Sequence, residues 1–137
     1  MKKGFTLVEL LAIIVIIGIL GTIGIAVYNN VQKEAKHKLY DEQLETIKSA
    51  VRTYITENDG KTLNVNGNNV KIDLFNGEKV IVIPMSVFIS EGVFDKYPVN
   101  PNCSKNMTGN IVVNVKSDGS YDLSYNMSNT EETFCKV

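Results

Sequence analysis

The sequence contains no tryptophan and only one histidine, His37, and it lacks any cluster of residues typical of a catalytic or metal site. Only Lys33 and Asp41 lie four residues from His37, so a surface side chain is a better interpretation than a metal ligand or a general base. No nucleotide-binding motif occurs, and no acid, base and nucleophile converge. The sequence therefore predicts no enzyme, no catalytic residue, no cofactor and no metal site.

Charge is also missing from a long apolar run near the N-terminus, Phe5–Val27, with the single exception of Glu9. At about 1.5 Å per residue, a helix of this length crosses a hydrocarbon core of about 30 Å. A secretory signal peptide fits poorly, because the run is too long and no small-residue cleavage site follows it. A plain membrane anchor explains the preceding lysines but neither Gly4 nor Glu9. A carboxylate inside such a span is costly, which makes it a candidate functional group.

The residues around this carboxylate resemble the N-terminal segment of type IV pilins and pseudopilins. A glycine, an aromatic residue and a carboxylate fall at set offsets before and within a membrane helix. The resemblance rests on Lys3–Leu11 and Ile16–Leu20, and the rest of the chain matches only in general plan.

The resemblance implies a precursor that is processed and then polymerised. A prepilin peptidase would cut after Gly4 and methylate the new amino terminus at Phe5. Glu9 would then pair with the terminal amine of a neighbouring subunit as the filament grows, and opposite charges in a low-dielectric medium favour that pairing independently. Glu9 also falls in the first helical turn, where the helix dipole favours an anion.

Several partners follow from the same resemblance. They are the inner or cytoplasmic membrane, the prepilin peptidase, identical or related pilin subunits in a helical homopolymer and, indirectly, a pilus assembly ATPase and platform protein. The protein would be a single-pass cell membrane protein before assembly and part of an extracellular, cell-surface filament after it.

Three glycines, Gly18, Gly21 and Gly24, recur at every third position inside the apolar run. Each costs a helix in water about 1 kcal/mol relative to alanine. Close packing of membrane helices and local melting are two explanations, and simple tolerance of glycine in membrane helices is a third. The resemblance implies that Gly18–Ala26 melts on assembly in many relatives, frequently with a proline where this chain has Ala26.

The helical period continues beyond the apolar run as far as a stop signal at Asn58, Asp59 and Gly60. We therefore expect one continuous helix from Phe5 to about Asn58. The predicted organisation is a leader peptide at residues 1–4, a transmembrane and assembly helix at 5–28, an amphipathic half at 29–57 and a globular head domain at 58–137.

Lysines recur just beyond the apolar run, at Lys33, Lys36 and Lys38. They could bind lipid head groups or DNA, but the interleaved acidic residues favour a solvated helix face. The sequence therefore leaves open whether nucleic acid is a partner.

The head domain reads as alternating strands and turns. The predicted fold class is α+β and type IV pilin-like, with the long helix packed on a small antiparallel sheet of about four strands. The expected elements are a loop at Asn58–Asn69, a hairpin of residues 70–74 and 79–83 turning at Asn76-Gly77, a short helix at Met85–Gly92, a hairpin of residues 111–115 and 121–125, and an edge strand at Thr133–Val137.

The only two cysteines, Cys103 and Cys135, lie in the part predicted to be outside the membrane, where disulfides persist. A bridge between them would close a loop of about 30 residues and stabilise the fold by roughly 3 to 4 kcal/mol. The alternative is two separate buried thiols. In type IV pilins a C-terminal disulfide commonly bounds a variable surface region, and these two cysteines resemble that pair.

The sequence thus predicts a structural subunit, a prepilin polymerised into a type IV pilus or pseudopilus. Two alternatives stay open at this point. One is a minor pseudopilin of a type II secretion or DNA-uptake (competence) machine, and the other is a membrane-anchored adhesin or binding domain that never polymerises. Glu9 argues against the second alternative, because a simple anchor gains nothing from a buried acid.

Overall fold

The computed structural model describes residues 3–135 of the chain. Three helices and seven strands follow one another in this part of the chain. Their bounds are α1 Leu7–Glu57, β1 Thr62–Val65, β2 Asn68–Lys71, β3 Lys79–Pro84, α2 Met85–Ser90, β4 Val99–Asn100, β5 Lys105–Asn106, β6 Asn110–Val115, β7 Tyr121–Asn126 and α3 Asn129–Phe134.

The chain divides into two compact units, the first ending at Lys36 and the second beginning at His37. We call them the N-terminal unit and the head unit. The boundary lies inside α1, within the segment 29–57 expected to be amphipathic. The prediction of one long helix ending near Asn58 is confirmed, because α1 runs without a break from Leu7 to Glu57.

The described residues of the N-terminal unit, 3–36, are all exposed, and they belong to α1 from Leu7 onward. Its most apolar 18-residue window has a mean hydropathy of 2.9, and none of that window is buried. By length and composition, α1 is the only helix within residues 3–135 that could cross a membrane.

In the head unit, the last turns of α1 pack on a three-stranded antiparallel sheet. The strand order is β3-β6-β7, and the side chains alternate between a buried and an exposed face. At the centre of the core, the Phe88 ring of α2 makes edge contacts with Tyr54 and Phe94, with ring centroids 5.8 and 6.4 Å apart. The buried residues of α1 are Ile47, Val51, Tyr54 and Ile55. The α+β fold class is thereby confirmed.

The first hairpin does not lie where the sequence placed it. Strands β1 and β2 pair across Asn66-Gly67, whose φ angles of 50° and 83° are both positive, as a two-residue hairpin turn requires. The loop expected at Asn58–Asn69 and the hairpin expected around Asn76-Gly77 are both wrong. Instead, β3 pairs with β6, with Lys79 opposite Val115.

The reason lies in the segment between β2 and β3. Ile72 and Leu74 are buried in the core, and their backbone amides bond to the Lys61 carbonyl and to the Asp59 carboxylate. Hydrogen bonds therefore hold residues 72–74 beside residues 59–61, which follow α1, and residues 72–74 do not form a strand beside β3.

Three other elements of the head were predicted correctly. The short helix expected at Met85–Gly92 is α2, and the hairpin expected at residues 111–125 is formed by β6 and β7. The disulfide between Cys103 and Cys135 is present, with the two Cα atoms 5.0 Å apart.

The edge strand expected at Thr133–Val137 is wrong in the residues that the structure describes, since α3 continues to Phe134, and residues 136–137 lie outside that description. A capping box starts this helix: the Ser128 hydroxyl accepts from the Glu131 amide, and the Glu131 carboxylate accepts from the Ser128 amide. Local capping therefore favours a helical turn over an extended strand.

Glu131 is fully buried and ties α3 to the end of the sheet. Its Oε1 accepts from the Thr108 amide at 2.8 Å and from the Tyr125 hydroxyl. Burial, and after it the hydrogen bond to Glu131, raises the pKa of the Tyr125 hydroxyl well above its ordinary value, so this group stays a donor. Gly109 is required beside this network, because a Cβ there would lie 1.9 Å from the Asn126 carbonyl oxygen.

Candidate functional site: the N-terminal segment

The candidate site is the segment from Lys3 to Glu9, where the chain enters α1. Residues 3–6 form no regular structure, and the helix begins at Leu7. Phe5 is 80% exposed, and Gly4 is exposed as well. The bond between Gly4 and Phe5 is therefore accessible from outside the chain.

Thr6 and Glu9 form a capping box at the start of α1. The Glu9 amide donates to the Thr6 hydroxyl at 3.2 Å, and Glu9 Oε2 accepts from the Thr6 amide at 2.9 Å and from the Thr6 hydroxyl at 3.1 Å. These bonds satisfy backbone donors that the first helical turn leaves without partners. Glu9 is thus fixed at the helix start by its own chain.

Sequence reasoning missed the part that Thr6 plays in this arrangement. The signal was available, because Thr6-Leu7-Val8-Glu9 has the threonine and glutamate spacing of a capping box before an apolar run. The structure brings Thr6 and Glu9 together and leaves the Phe5 side chain pointing away from other residues, as its exposure shows.

The four glycines of this region have open space around them. A Cβ added at Gly4, Gly18, Gly21 or Gly24 would meet nothing within 4 Å. Nothing within the described chain therefore requires glycine at these positions, and any such requirement comes from a molecule outside the chain.

The other residues considered from the sequence do not form a site. His37 is partly buried on α1, and Lys33, Lys36 and Lys38 are exposed. Within residues 3–135, no group of three or more His, Cys, Asp or Glu side chains is arranged to hold a metal ion. The two cysteines form a disulfide and stabilise the head.

Residues 1–25 match the family model described as the prokaryotic N-terminal methylation motif. The chain carries the type IV pilin and pseudopilin signal. No curated protein and no solved structure matches the chain significantly. The pilin signal implies processing by a prepilin peptidase, polymerisation with other pilins and association with a membrane. Proteins with this pilin signal are structural subunits.

Proposed function

We propose that this chain is a prepilin that is cut after Gly4, methylated at Phe5 and polymerised through Glu9 into a filament. The observation that carries the proposal is that the exposed apolar part of α1, up to Val27, contains one carboxylate, Glu9, and begins within the pilin signal. The protein acts as a structural subunit and has no catalytic role of its own.

The exposed Gly4–Phe5 bond supports the cleavage step. Water adds to the Gly4 carbonyl carbon, the peptide bond breaks, Gly4 leaves as a carboxylate, and Phe5 keeps its nitrogen as a new terminal amine. The amine then takes a methyl group from a sulfonium methyl donor, which leaves as a thioether, and the amine loses one proton. Since α1 begins at Leu7 and its cap is Thr6, the cut leaves the helix start intact. A glycine at the cut suits a peptidase, because it lets the backbone approach a catalytic site closely.

The capping box supports the assembly step. Thr6 holds Glu9 Oε2, while Glu9 Oε1 accepts no hydrogen bond within residues 3–135. That oxygen can accept from the Phe5 ammonium of a neighbouring subunit. Burying an unpaired carboxylate among apolar helices is costly, so pairing favours docked subunits over free ones.

The surroundings of the three glycines support close contact between subunits. Gly18, Gly21 and Gly24 leave a shallow strip on α1 that nothing in the described chain fills. Small residues let neighbouring helices approach closely in a membrane or a filament core. We assign the strip to packing against the helices of neighbouring subunits.

The proposed life cycle has two locations. Before assembly, residues 5–28 hold the chain in the cell membrane, with the N-terminal lysines inside. After assembly, the apolar helices bundle in the filament axis and the heads lie on its surface. Energy for extraction comes from a separate assembly ATPase acting through a platform protein.

The first test is the N-terminal mass of the native protein in sheared fibres and in membranes. We expect fibres to contain a chain that begins at methylated Phe5. An intact Met1 confined to membranes would instead contradict the proposal and favour an anchored binding domain.

Two variants separate cleavage from assembly. Gly4→Arg should leave the full precursor in the membrane, while Lys3→Arg, which keeps the charge next to the cut, should mature normally. Glu9→Ala should be cleaved but should not enter fibres. Glu34→Ala, on the same helix beyond the apolar run, should be cleaved and should enter fibres. Normal fibres from Glu9→Ala would show that the pairing role is wrong.

A further inference from the structure

At four places in the head, an asparagine or aspartate is followed directly by glycine. In each of them the glycine has a positive φ angle, between 83° and 90°, as many tight turns require. Such a pair is also chemically labile, because the glycine amide nitrogen can attack the preceding side-chain carbonyl carbon and no Cβ hinders its approach. The four pairs are Asp59-Gly60, Asn66-Gly67, Asn76-Gly77 and Asp118-Gly119.

Three of the four glycine amides are held in hydrogen bonds. A nitrogen that donates such a bond directs its hydrogen at the acceptor, and the bond must break before the nitrogen can attack a carbonyl carbon. The bonds run from Gly60 to the Ile72 carbonyl at 2.7 Å, from Gly119 to the Lys116 carbonyl at 3.1 Å and from Gly67 to the Asn64 side-chain oxygen at 3.0 Å.

The amide of Gly77 differs from these three. It donates no hydrogen bond to any residue in the described part of the chain. Asn76 and Gly77 are both exposed in a bend between β2 and β3, and a Cβ at Gly77 would meet nothing within 4 Å. Asn66-Gly67, by contrast, is the turn of a hairpin whose two strands pair directly beside it.

The side chain of Asn76 is held through its nitrogen alone. Nδ2 donates to Asp73 Oδ2 at 2.5 Å, whereas the side-chain carbonyl oxygen accepts no hydrogen bond within residues 3–135. The carbonyl group that the Gly77 nitrogen would attack is therefore open, and so is the attacking amide.

We propose that Asn76 is a site of spontaneous covalent modification through a cyclic imide formed with Gly77. The Gly77 nitrogen bonds to Asn76 Cγ and loses its proton, the bond from Cγ to Nδ2 breaks, and the side-chain nitrogen leaves with that proton as ammonia. Water then adds to one of the two imide carbonyl carbons and opens the ring. One opening gives aspartate in the ordinary backbone, and the other gives isoaspartate, whose backbone runs through Cγ. The sum consumes one water, releases one ammonia and turns a neutral amide into a carboxylate.

The modification changes the charge of the loop between β2 and β3. The bond from Asn76 is the main cause that lowers the pKa of Asp73, so a carboxylate at position 76 removes a donor and raises that pKa by repulsion. The Lys79 ammonium, 3.5 Å from Asp73 Oδ2, would then lie near two carboxylates. Because all these residues lie in the head, the proposal is independent of cleavage and assembly at the N-terminus.

Peptide mass mapping of the full chain, kept folded in detergent at mildly alkaline pH, tests the proposal. We expect the peptide that contains Asn76 to gain the mass difference between an amide and an acid, as separate aspartate and isoaspartate forms. The rate should exceed that at Asn66 by about fivefold or more, the factor by which one ordinary hydrogen bond changes an equilibrium. No change at Asn76, or equal rates at the two sites, would overturn the proposal.

The same chain unfolded in denaturant is the matched control, because both Asn-Gly pairs then lose their folded surroundings. The two rates should become similar. If Asn76 kept the same advantage after unfolding, its neighbours in sequence and not the free Gly77 amide would explain the reactivity, and the structural argument would be wrong.

A pair of variants tests the role of the glycine amide directly. Asn64→Ala removes the acceptor of the Gly67 amide and should raise the rate at Asn66 by about fivefold, with no change at Asn76. Asn76→Gln keeps an amide but requires a larger ring, so the modified, more acidic form should disappear from the peptide that contains position 76. An unchanged rate at Asn66 in Asn64→Ala would show that the amide hydrogen bond gives no protection, and would overturn the proposal.

Discussion

The two halves of α1 share one helical backbone but have opposite surroundings. Ile16 in the N-terminal unit is 56% exposed, whereas Ile47 in the head unit is 1% exposed. The first half is apolar on all sides, and the second is apolar on one side only. A helix that is apolar all round needs a membrane or other copies to cover it, whereas a one-sided helix is covered by its own domain.

The carboxylates of the two capping boxes differ in burial in the same way as the two halves of α1. Thr6 with Glu9 and Ser128 with Glu131 have the same spacing and the same reciprocal bonds. Glu131 receives further bonds from Thr108 and Tyr125 and is fully buried, but Glu9 has only its own cap and is exposed. The same capping motif can therefore be buried in the core of the head or leave an exposed carboxylate that another molecule can contact.

Removing residues 1–28 should give the largest measurable difference between the two units, a change in whether the chain partitions into water or into membranes. The shortened chain should stay in aqueous solution without detergent, because the core of the head lies wholly within residues 37–135. The full chain should sediment with membranes. Fractionation of cells that express each chain measures the difference, and a shortened chain that still needs detergent would contradict the division into two units.

Next in size is the loss of a core side chain in the head unit. Phe88→Ala should lower the free energy of unfolding of the head by about 3–5 kcal/mol, because this fully buried ring packs between Tyr54 and Phe94. Ile16→Ala should leave it within about 0.5 kcal/mol of the parent value, as for other exposed sites. Denaturant unfolding in detergent compares the two variants. Equal losses of unfolding free energy would contradict the difference in burial between the two units.

Replacing each capping glutamate by alanine should likewise have unequal effects on the stability of the head. Glu131→Ala should destabilise the head by about 2–4 kcal/mol, because the capping box of α3 loses its carboxylate and the Ser128 amide, the Thr108 amide and the Tyr125 hydroxyl lose their acceptor. Glu9→Ala should not change the melting temperature of the head. A head that tolerates Glu131→Ala would show that this network contributes little.

The smallest effect concerns stability at acid pH. Hydrogen bonding from Asn76 is the main cause that lowers the pKa of Asp73 below its ordinary value of 3.8. A lowered pKa contributes stability above the ordinary value, and that contribution is lost as the pH falls through the lowered value. Asp73→Asn should therefore slightly reduce the melting temperature at pH 6 and flatten its fall below about pH 4. Asp95→Asn is the matched control, and identical pH profiles for the two variants would contradict the assignment.

Particular elements show how far the sequence could be interpreted. The end of α1, the β6–β7 hairpin and the disulfide were predictable, because a helix stop, a turn between alternating strands and a single cysteine pair each leave few alternatives. The first hairpin was not, because Asn-Gly occurs both at 66–67 and at 76–77 and either can turn a chain. Burial of Ile72 and Leu74 decided between them.

The sequence by itself determined the N-terminal unit, because its apolar run, Gly4, Phe5 and Glu9 depend on local pattern and on helix geometry alone. Only the tertiary structure decided which strands of the head pair around β3 and how Glu131 is buried. Both depend on residues distant in sequence. The physical reason is that helix periodicity and capping act over a few residues, whereas strand pairing and burial are settled by competition among all the surfaces that can pack together.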